Sequence, residues 1–156
     1  FRFWTMISDL SSAIVVKVAN WLQDQKELIR LRNLVFIQEQ KVSPELEFDG
    51  LDDVCIHLKA LTHSGQFIGT SRLLPSHYIG RMCVLKEYRQ QGAGSQMLNY
   101  YIHHALVRGL PHLKLNAQLT ALQFYQQFGF IQDSDVFIEA DIEHVHMTLS
   151  LAELTR

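Results

Sequence analysis

The most informative part of the chain reads Met82-Cys83-Val84-Leu85-Lys86-Glu87-Tyr88-Arg89-Gln90-Gln91-Gly92-Ala93-Gly94-Ser95. Its apolar beginning predicts a strand, and the glycines near its end predict a tight turn from which a helix starts. The first N–H groups of a helix have no partner within the helix and carry partial positive charge, so such a turn suits a phosphate. Gly92 and Gly94 would let an anion approach the main chain, and Arg89 would add a full charge. A tight turn without a ligand is the alternative that these residues leave open.

Three familiar loops do not fit this segment. A dinucleotide-binding loop needs a third small residue at position 97, where this chain has Met97. A P-loop needs Gly-Lys followed by Ser or Thr, and a serine-hydrolase elbow needs Gly-x-Ser-x-Gly. The segment contains neither pattern.

The rest of the chain alternates between strand-like and helix-like spacing of apolar residues. Strands are predicted over residues 13–19, 54–60, 67–74, 78–85, 112–117, 136–139 and 145–151. Helices are predicted from Asp24 as N-cap to about residue 38, from the glycine loop to Arg108, and from a capping box at residues 120–123 to Phe128. This order predicts an α/β domain with a mixed sheet flanked by helices.

Length and composition limit the class of protein. The 156 residues fit one domain, predicted over residues 13–156 after an N-terminal extension at residues 1–12. Residues 1–5 precede Met6 and are interpreted as leftover or misassigned sequence. Hydrophobic residues make up 47% of the chain and charged residues 19%, which excludes an intrinsically disordered protein.

Charge and cysteine content limit the partners. A net charge of -2 argues against a nucleic-acid-binding protein, and no stretch approaches the roughly 20 apolar residues that cross a bilayer. Two cysteines, Cys55 and Cys83, cannot form a disulfide framework, so a cytoplasmic location is expected. No Cys/His spacing resembles a structural zinc site, so no metal is expected.

Two linked motifs resemble the GNAT superfamily of acyl-CoA-dependent N-acetyltransferases. Arg89-Gln90-Gln91-Gly92-Ala93-Gly94 resembles the family signature Arg/Gln-x-x-Gly-x-Gly/Ala. Ala121-Leu122-Gln123-Phe124-Tyr125-Gln126-Gln127-Phe128-Gly129-Phe130 resembles the second helix motif, Ala-x-x-x-Tyr-x-x-x-Gly-Phe. The resemblance covers nearly the whole chain and implies the GNAT acyltransferase fold.

A narrower resemblance is to the ElaA-type branch of that superfamily. The residues that carry it are Val35-Phe36-Ile37-Gln38-Glu39-Gln40, Glu45, Glu47, Asp49-Gly50-Leu51-Asp52, His57-Leu58, Ile79-Gly80-Arg81-Met82, Asn116-Ala117-Gln118 and Glu139-x-x-Ile142-x-His144-x-x-Met147. The last motif usually has Gly and Pro where this chain has Asp141 and Glu143. The turn before the final strand, and with it the position of His144, is therefore expected to differ.

The resemblance implies acetyl-CoA as the cofactor and CoA as the product. In this family the fourth and fifth strands splay apart, and the pantetheine arm lies between them. The cofactor-binding residues that this implies are Met82, Cys83, Val84, Arg89, Gln90, Gln91, Gly92, Ala93, Gly94, Ser95, Asn116 and Tyr125. Asn116 could instead cap a turn. The Cys83 side chain is interpreted as part of the core, because nothing around it suggests an activated thiolate.

Catalysis needs an acid for the leaving thiolate and a base for the acceptor amine. The family motif makes Tyr125 the acid, with a purely structural core aromatic as the alternative. An alkylamine with a pKa of about 10.4 must lose a proton before it attacks. Glu47, His57 and His144 are the candidate bases, and a histidine on a sheet is more often simply hydrogen-bonded.

The segment of residues 39–53 holds six acidic residues and one basic residue, Lys41. In the family this segment borders the acceptor pocket, where an acidic rim would concentrate a cationic amine. A solvated acidic loop is the alternative. The candidate substrate-binding residues are Glu45, Asp49, Arg72 and Arg81.

These observations favour an N-acetyltransferase that transfers acetyl from acetyl-CoA to a primary amine by direct attack in a ternary complex. Two alternatives stay open: a non-catalytic acyl-CoA-binding or regulatory module, and a protein-lysine acetyltransferase. The expected partner is a small-molecule or protein amine, without nucleic acid or membrane. A homodimer is left open.

Overall fold

The computed structural model of the protein describes residues 13–152 and 154. The predicted N-terminal extension, residues 1–12, lies outside the described residues. The described part contains one eight-stranded sheet, with β1 Ile14–Val18, β2 Ile56–Thr62, β3 Phe67–Leu73, β4 Tyr78–Val84, β5 His112–Gln118, β6 Ile131–Gln132, β7 Phe137–Glu139 and β8 Ile142–Ser150.

Four α-helices of the described part connect these strands: α1 Trp21–Arg32, α2 Pro44–Glu47, α3 Ala93–Val107 and α4 Leu122–Gln126. A π-helical segment, Asn33–Glu39, continues α1 directly. Three short 3-10 turns are Asp52–Val54, Lys86–Tyr88 and Leu119–Ala121. The α/β fold with a mixed sheet and flanking helices is therefore confirmed.

The sheet is antiparallel except between β4 and β5. Its strand order is β1-β2-β3-β4-β5-β8-β6, and β7 pairs with the N-terminal end of β8. The parallel strands β4 and β5 pair only at Tyr78 with Lys114 and at Ile79 with Leu115. Beyond these two pairs the strands separate toward their carboxyl ends, which leaves a V-shaped gap in the middle of the sheet.

A bulge in β4 lies at this gap. Thr70 pairs with Cys83 and Arg72 pairs with Gly80, so one residue of β3 faces two residues of β4. Arg81, within the bulge, has a φ of 50°. This left-handed conformation is costly for a residue with a Cβ, and such bulges redirect a strand and its side chains.

The two faces of the sheet are covered by different helices. On one face, Met97 and Leu98 of α3 pack with Leu113 and Leu115 of β5 in the main core. On the other face, Leu28 and Leu31 of α1 pack with Cys83 in a second cluster. Because side chains alternate along a strand, Lys114, Asn116 and Gln118 of β5 lie on the face away from α3.

The predicted beginnings of two helices were wrong. The N-cap of α1 is Asn20, whose Oδ1 accepts the Gln23 N–H at 3.1 Å. Asp24 lies inside the helix and accepts the Asn20 N–H at 2.9 Å, so it closes the cap from the other side. Thr120 opens no capping box, because α4 begins after Ala121 without a side-chain cap.

Other differences lie in short elements. The strand predicted from residue 54 begins at Ile56, because Val54 belongs to a 3-10 turn. Helix α2, within the acidic segment, and β6, with only two residues, were not predicted. Such short elements have no repeat long enough for a periodic pattern.

Candidate functional site

A cleft of about 530 Å³ lies where β4 and β5 separate. Its walls come from the segment after α1, from both strands, from α4 and from the β7–β8 hairpin. The lining residues that bear on the sequence predictions are Glu47, Asp49, Arg72, Arg81, Met82, Asn116, Tyr125 and His144. The gap in the sheet thus brings together residues that are more than 90 positions apart in the chain.

Tyr125 reaches the cleft from α4. Its hydroxyl lies 3.8 Å from Sδ of Met82, which is on the bulged part of β4. Its ring packs edge-on against Phe124 and Phe130. Burial raises the pKa of the Tyr125 hydroxyl to about 12, so this group keeps its proton at neutral pH and is able to donate it.

The glycine loop leads into α3 just beyond the carboxyl end of β4. Gly92 is the N-cap and has a φ of 92°, a conformation that glycine adopts without strain. The first hydrogen bond of the helix runs from the Gln96 N–H to the Gly92 carbonyl at 2.9 Å. The N–H groups of Ala93, Gly94 and Ser95 therefore have no partner within the helix and are suited to an anion.

Arg89 fastens this loop to the segment after α1. Its guanidinium donates to both carboxylate oxygens of Glu39, at 2.7 and 2.6 Å, and its Nε donates to the Val84 carbonyl at 2.9 Å. The predicted charge beside the loop is therefore already paired with a carboxylate. Arg89 positions the loop here, and an anion would have to share the guanidinium with Glu39.

The strand residues predicted to bind the cofactor lie on different sides of the sheet. Met82 lines the cleft, whereas the Cys83 side chain does not and is buried against α1 residues on the other face of the sheet. Burial raises the pKa of the Cys83 thiol to about 12, so it is not a thiolate at neutral pH. Val84 packs against the main core, and the exposed Asn116 lines the cleft from β5.

Three arginines and three carboxylates form a network beneath the cleft. Arg32 donates to Glu47 and Asp52, and Arg72 donates to Asp49 and Asp52. Arg81 lies 3.2 Å from Oε1 of Glu47 and also donates to the Glu47 main-chain carbonyl. The segment of residues 47–52 is thus held against the sheet by ion pairs.

Three of the four predicted substrate-binding residues belong to this network, and the fourth does not. Asp49, Arg72 and Arg81 line the cleft and belong to the network, where the Arg72 hydrogen bond lowers the pKa of Asp49 to about 2. Glu45 is exposed on α2 and does not line the cleft. Much of the acidic segment is therefore already paired with arginine.

The three predicted bases lie in three different environments. Glu47 lines the cleft, but both of its carboxylate oxygens accept from Arg32. His57 lies outside the cleft, stacked on Trp21, and burial lowers its pKa. Its Nε2 is 2.9 Å from the Asp52 carbonyl, so its contacts are those of a hydrogen-bonded structural histidine.

His144 lines the cleft from β8. Its Nδ1 donates to the Ile142 carbonyl at 2.7 Å, which leaves a lone pair on Nε2 of the neutral ring. Nε2 lies 3.8 Å from the Glu139 carboxylate. The β7–β8 turn is a two-residue hairpin in which Ala140 and Asp141 both have positive φ, so the chain turns tightly without the Gly and Pro of the related motif.

Several groups of the cleft wall were not among the site residues predicted from the sequence. Tyr78, Gln118 and Glu139 all line the cleft, and the side-chain amides of Gln118 and Gln40 hydrogen-bond to each other across it. Tyr78 is the first residue of a strand that was predicted, and it lies on the same face as Gly80, which also lines the cleft. Because side chains alternate along a strand, the predicted strand could have placed Tyr78 in the cleft.

Among residues 13–152 and 154, no group of three His, Cys, Asp or Glu side chains is arranged to hold a metal ion. None of the helices described above combines the length and the apolar character that crossing a membrane requires.

The sequence is similar to known proteins along most of its length. A family profile described as "Acetyltransferase (GNAT) domain" matches residues 36–151. The uncharacterized protein YyaT of Bacillus subtilis is 36% identical to this chain over 135 residues. The aligned region covers 83% of this chain and 90% of YyaT.

Solved structures agree with this similarity. An acyl-CoA N-acyltransferase from Pseudomonas aeruginosa is 32% identical, with a TM-score of 0.75 and coverage of 90% of this chain and 100% of that one. ElaA of Escherichia coli is 25% identical, with a TM-score of 0.77 and coverage of 88% and 99%. The resemblance to the superfamily and to its ElaA-type branch is thereby confirmed.

Proposed function

Because this chain belongs to the GNAT acetyltransferase family, we propose that it transfers an acetyl group from acetyl-CoA to a primary amine bound in the cleft. The separation of β4 and β5 after only two residue pairs carries the proposal. It leaves room between two strands for an extended acyl carrier, with the anion-suited start of α3 at one end. The acceptor would enter from the face that carries the network of arginines and carboxylates.

The residues present fit coenzyme A. The N–H groups of Ala93, Gly94 and Ser95 would hold its diphosphate, and Gly92 keeps side-chain atoms away from that position. The main chain of Met82 and Val84 lies beyond the last β4–β5 pair, so it would hydrogen-bond the pantetheine arm. When bound, acetyl-CoA supplies an activated thioester.

Acyl transfer by direct attack forms a bond between nitrogen and the acetyl carbon and breaks the bond between that carbon and sulfur. Main-chain N–H groups at the bulge of β4 would stabilise negative charge on the carbonyl oxygen during attack. Tyr125 would donate its proton to the leaving sulfur. Its raised pKa and its position beside Met82 support this role.

The amine must lose a proton during the reaction. Of the three bases suggested by the sequence, His144 is the one that combines a place on the cleft wall with a lone pair on the free ring nitrogen. Glu139, 3.8 Å from that nitrogen, would stabilise positive charge on this ring. Glu47 is held by arginine, and His57 lies away from the cleft.

An acceptor screen tests the proposal. The protein is incubated with acetyl-CoA and a panel of primary amines, diamines and amino acids, and free thiol and acetylated product are measured. We expect release of thiol matched by acetylated amine. Tight binding of acetyl-CoA in calorimetry without thiol release from any acceptor would contradict the proposal and favour a non-catalytic acyl-CoA-binding module.

A further inference from the structure

A second group of titratable side chains lies beside the cleft. The hydroxyl of Tyr78 is 2.8 Å from Nε2 of His146, and Nδ1 of the same ring is hydrogen-bonded to Asp133. Thr148 donates to the other oxygen of Asp133 at 2.7 Å. Tyr78 lines the cleft. The hydrogen-bonded series Tyr78–His146–Asp133 therefore begins at the place where an acceptor would bind.

The sheet fixes the order of these groups. Tyr78 pairs with Lys114 across β4 and β5, and Lys114 pairs with Thr148 across β5 and β8. His146 lies two residues before Thr148 and therefore on the same face. The strand β6 brings Asp133 to β8, where its N–H donates to the His146 carbonyl at 3.0 Å.

The hydrogen bonds define the direction of proton transfer. A carboxylate only accepts, so Asp133 fixes the ring with its proton on Nδ1. Nε2 of the neutral ring then accepts the Tyr78 O–H, and the phenol oxygen keeps lone pairs for another donor. The side chains of His146 and Asp133 are 24% and 45% exposed, so the hydrogen-bonded series leads from the cleft to solvent.

We propose that Tyr78, His146 and Asp133 form a proton relay that removes the proton of the acceptor ammonium, a proposal that rests on the acyltransferase function argued above. As the N–H bond of the ammonium breaks, the Tyr78 oxygen gains that proton and gives its own to Nε2 of His146. The Asp133 carboxylate stabilises the resulting imidazolium, which loses a proton to water. Tyr78 is the catalytic residue of the relay, and His146 and Asp133 act through it.

One further contact supports proton transfer through Tyr78. Nζ of Lys114 lies 5.6 Å from the centre of the Tyr78 ring. A cation above an aromatic ring stabilises negative charge that develops on the ring during transfer. His144 lies on the same strand as His146, but its Nδ1 bonds to the Ile142 carbonyl, so it stands outside this relay and is the rival acceptor of the ammonium proton.

The test compares two amines of nearly the same shape and different basicity. One is the best alkylamine from the acceptor screen, and the other is its analogue with two fluorine atoms on the carbon β to nitrogen. The analogue is a much weaker base and reaches the cleft largely without the extra proton. The variants are Tyr78→Phe, Asp133→Asn and His144→Gln, with Tyr100→Phe on α3 as the control for loss of a hydroxyl.

If the relay operates, Tyr78→Phe lowers kcat for the alkylamine by about tenfold or more, and Asp133→Asn lowers it in the same direction. Both variants then keep kcat for the fluorinated analogue within about threefold of the unchanged protein, because this amine arrives without the ammonium proton that the relay removes. The N–H proton that every primary amine loses on becoming an amide is balanced by the proton that the leaving sulfur takes up. The KM for acetyl-CoA stays the same. A merely structural role would slow both amines equally.

The remaining outcomes are equally decisive. An equal loss with both amines, or no loss in Tyr78→Phe, overturns the relay while acyl transfer by the unchanged protein upholds the proposed function. A selective loss in His144→Gln alone assigns the proton to His144 and also overturns the relay. The absence of thiol release by the unchanged protein with every amine overturns both proposals.

Discussion

Arg32 of α1 binds Glu47 of α2 through two hydrogen bonds of 2.8 and 3.2 Å, and both side chains are almost completely buried. This pair is the innermost part of the network beneath the cleft. A buried carboxylate that loses its cation is left uncompensated in a medium of low dielectric. The position of the acidic segment beside the cleft therefore depends on Arg32.

We predict that Arg32→Met lowers the free energy of unfolding by about 3–5 kcal/mol, because it removes both Arg32 hydrogen bonds from the buried Glu47 carboxylate and leaves it only the contact with the partly exposed Arg81. The measurement is urea unfolding followed by circular dichroism. The control is Arg30→Met two positions earlier, which breaks the exposed pair with Glu27 and is expected to cost less than about 1 kcal/mol. Equal losses in the two variants would contradict the importance of the buried pair.

The same network predicts how stability depends on acid. The Arg72 hydrogen bond lowers the pKa of Asp49 from 3.8 to about 2, so the folded state favours the ionised carboxylate. This contribution is fully present above the unfolded pKa and is lost as the pH falls from about 4 to about 2. We expect the free energy of unfolding to fall over this range, and to fall less steeply in Asp49→Asn.

The control for this pH dependence is Asp53→Asn, which changes an exposed carboxylate of the same segment. Unfolding is followed by fluorescence at a series of pH values for all three proteins. Parallel curves for Asp49→Asn and the unchanged protein would show that the Asp49–Arg72 pair does not cause the dependence.

If Tyr125 is the catalytic acid, its replacement should lower turnover without weakening the binding of acetyl-CoA. Tyr125→Phe removes the proton donor and keeps the ring that packs against Phe130, so kcat is expected to fall by about 10² while the dissociation constant of acetyl-CoA stays nearly unchanged. Steady-state thiol release and calorimetry measure the two quantities. Tyr100→Phe on α3 serves as control, and unchanged turnover in Tyr125→Phe would remove Tyr125 from the mechanism.

Direct attack, rather than an acetylated enzyme, makes a prediction about Cys83. Its thiol is buried away from the cleft and has a pKa of about 12, so it is a poor nucleophile. We expect Cys83→Ala to keep kcat within about threefold of the unchanged protein. Mass spectrometry after rapid quenching should detect no acetylated Cys83, and an acetyl group trapped on this residue would overturn direct transfer.

The fold could be predicted from the sequence where the apolar pattern is long. The strands β2 to β5 have seven residues each and the helix α3 has fifteen, and their predicted boundaries agree within about two residues with those of the structure. The gap between β4 and β5 came from the family resemblance, because periodicity does not show where two neighbouring strands separate.

The site was harder to predict because its contacts join distant parts of the chain. Arg32, Arg72 and Arg81 come from three elements, and nothing in their local sequence shows that they meet one acidic segment. The acidic segment therefore suggested a rim for cations, although most of its central carboxylates bind arginine. Asp133 follows a strand of two residues, which leaves no pattern that would bring it to His146.

The glycine loop offers a test of coenzyme binding that separates backbone strain from loss of a ligand site. In the double variant Gly92→Val and Gly94→Val, the first valine opposes a φ of 92° and the second adds atoms toward the Phe124 ring, whose nearest carbon would lie 3.4 Å from the new Cβ. The N–H groups at the start of α3 would no longer be arranged around one anion. We expect the dissociation constant of acetyl-CoA to rise at least about tenfold, measured by calorimetry on protein whose circular dichroism is unchanged.

The matched control is Gly109→Val, at the opposite end of the same helix. Gly109 has a φ of 68°, so valine is strained there too, but the site lies at the carboxyl end of α3 where the helix presents carbonyl groups. This variant is expected to lose stability while it binds acetyl-CoA as the unchanged protein does. If the double variant also keeps its affinity, the diphosphate is not held by the start of α3. Loss of affinity only in the double variant would locate the anion at the residues that first distinguished this sequence, because the two variants share backbone strain and differ in which end of the helix they change.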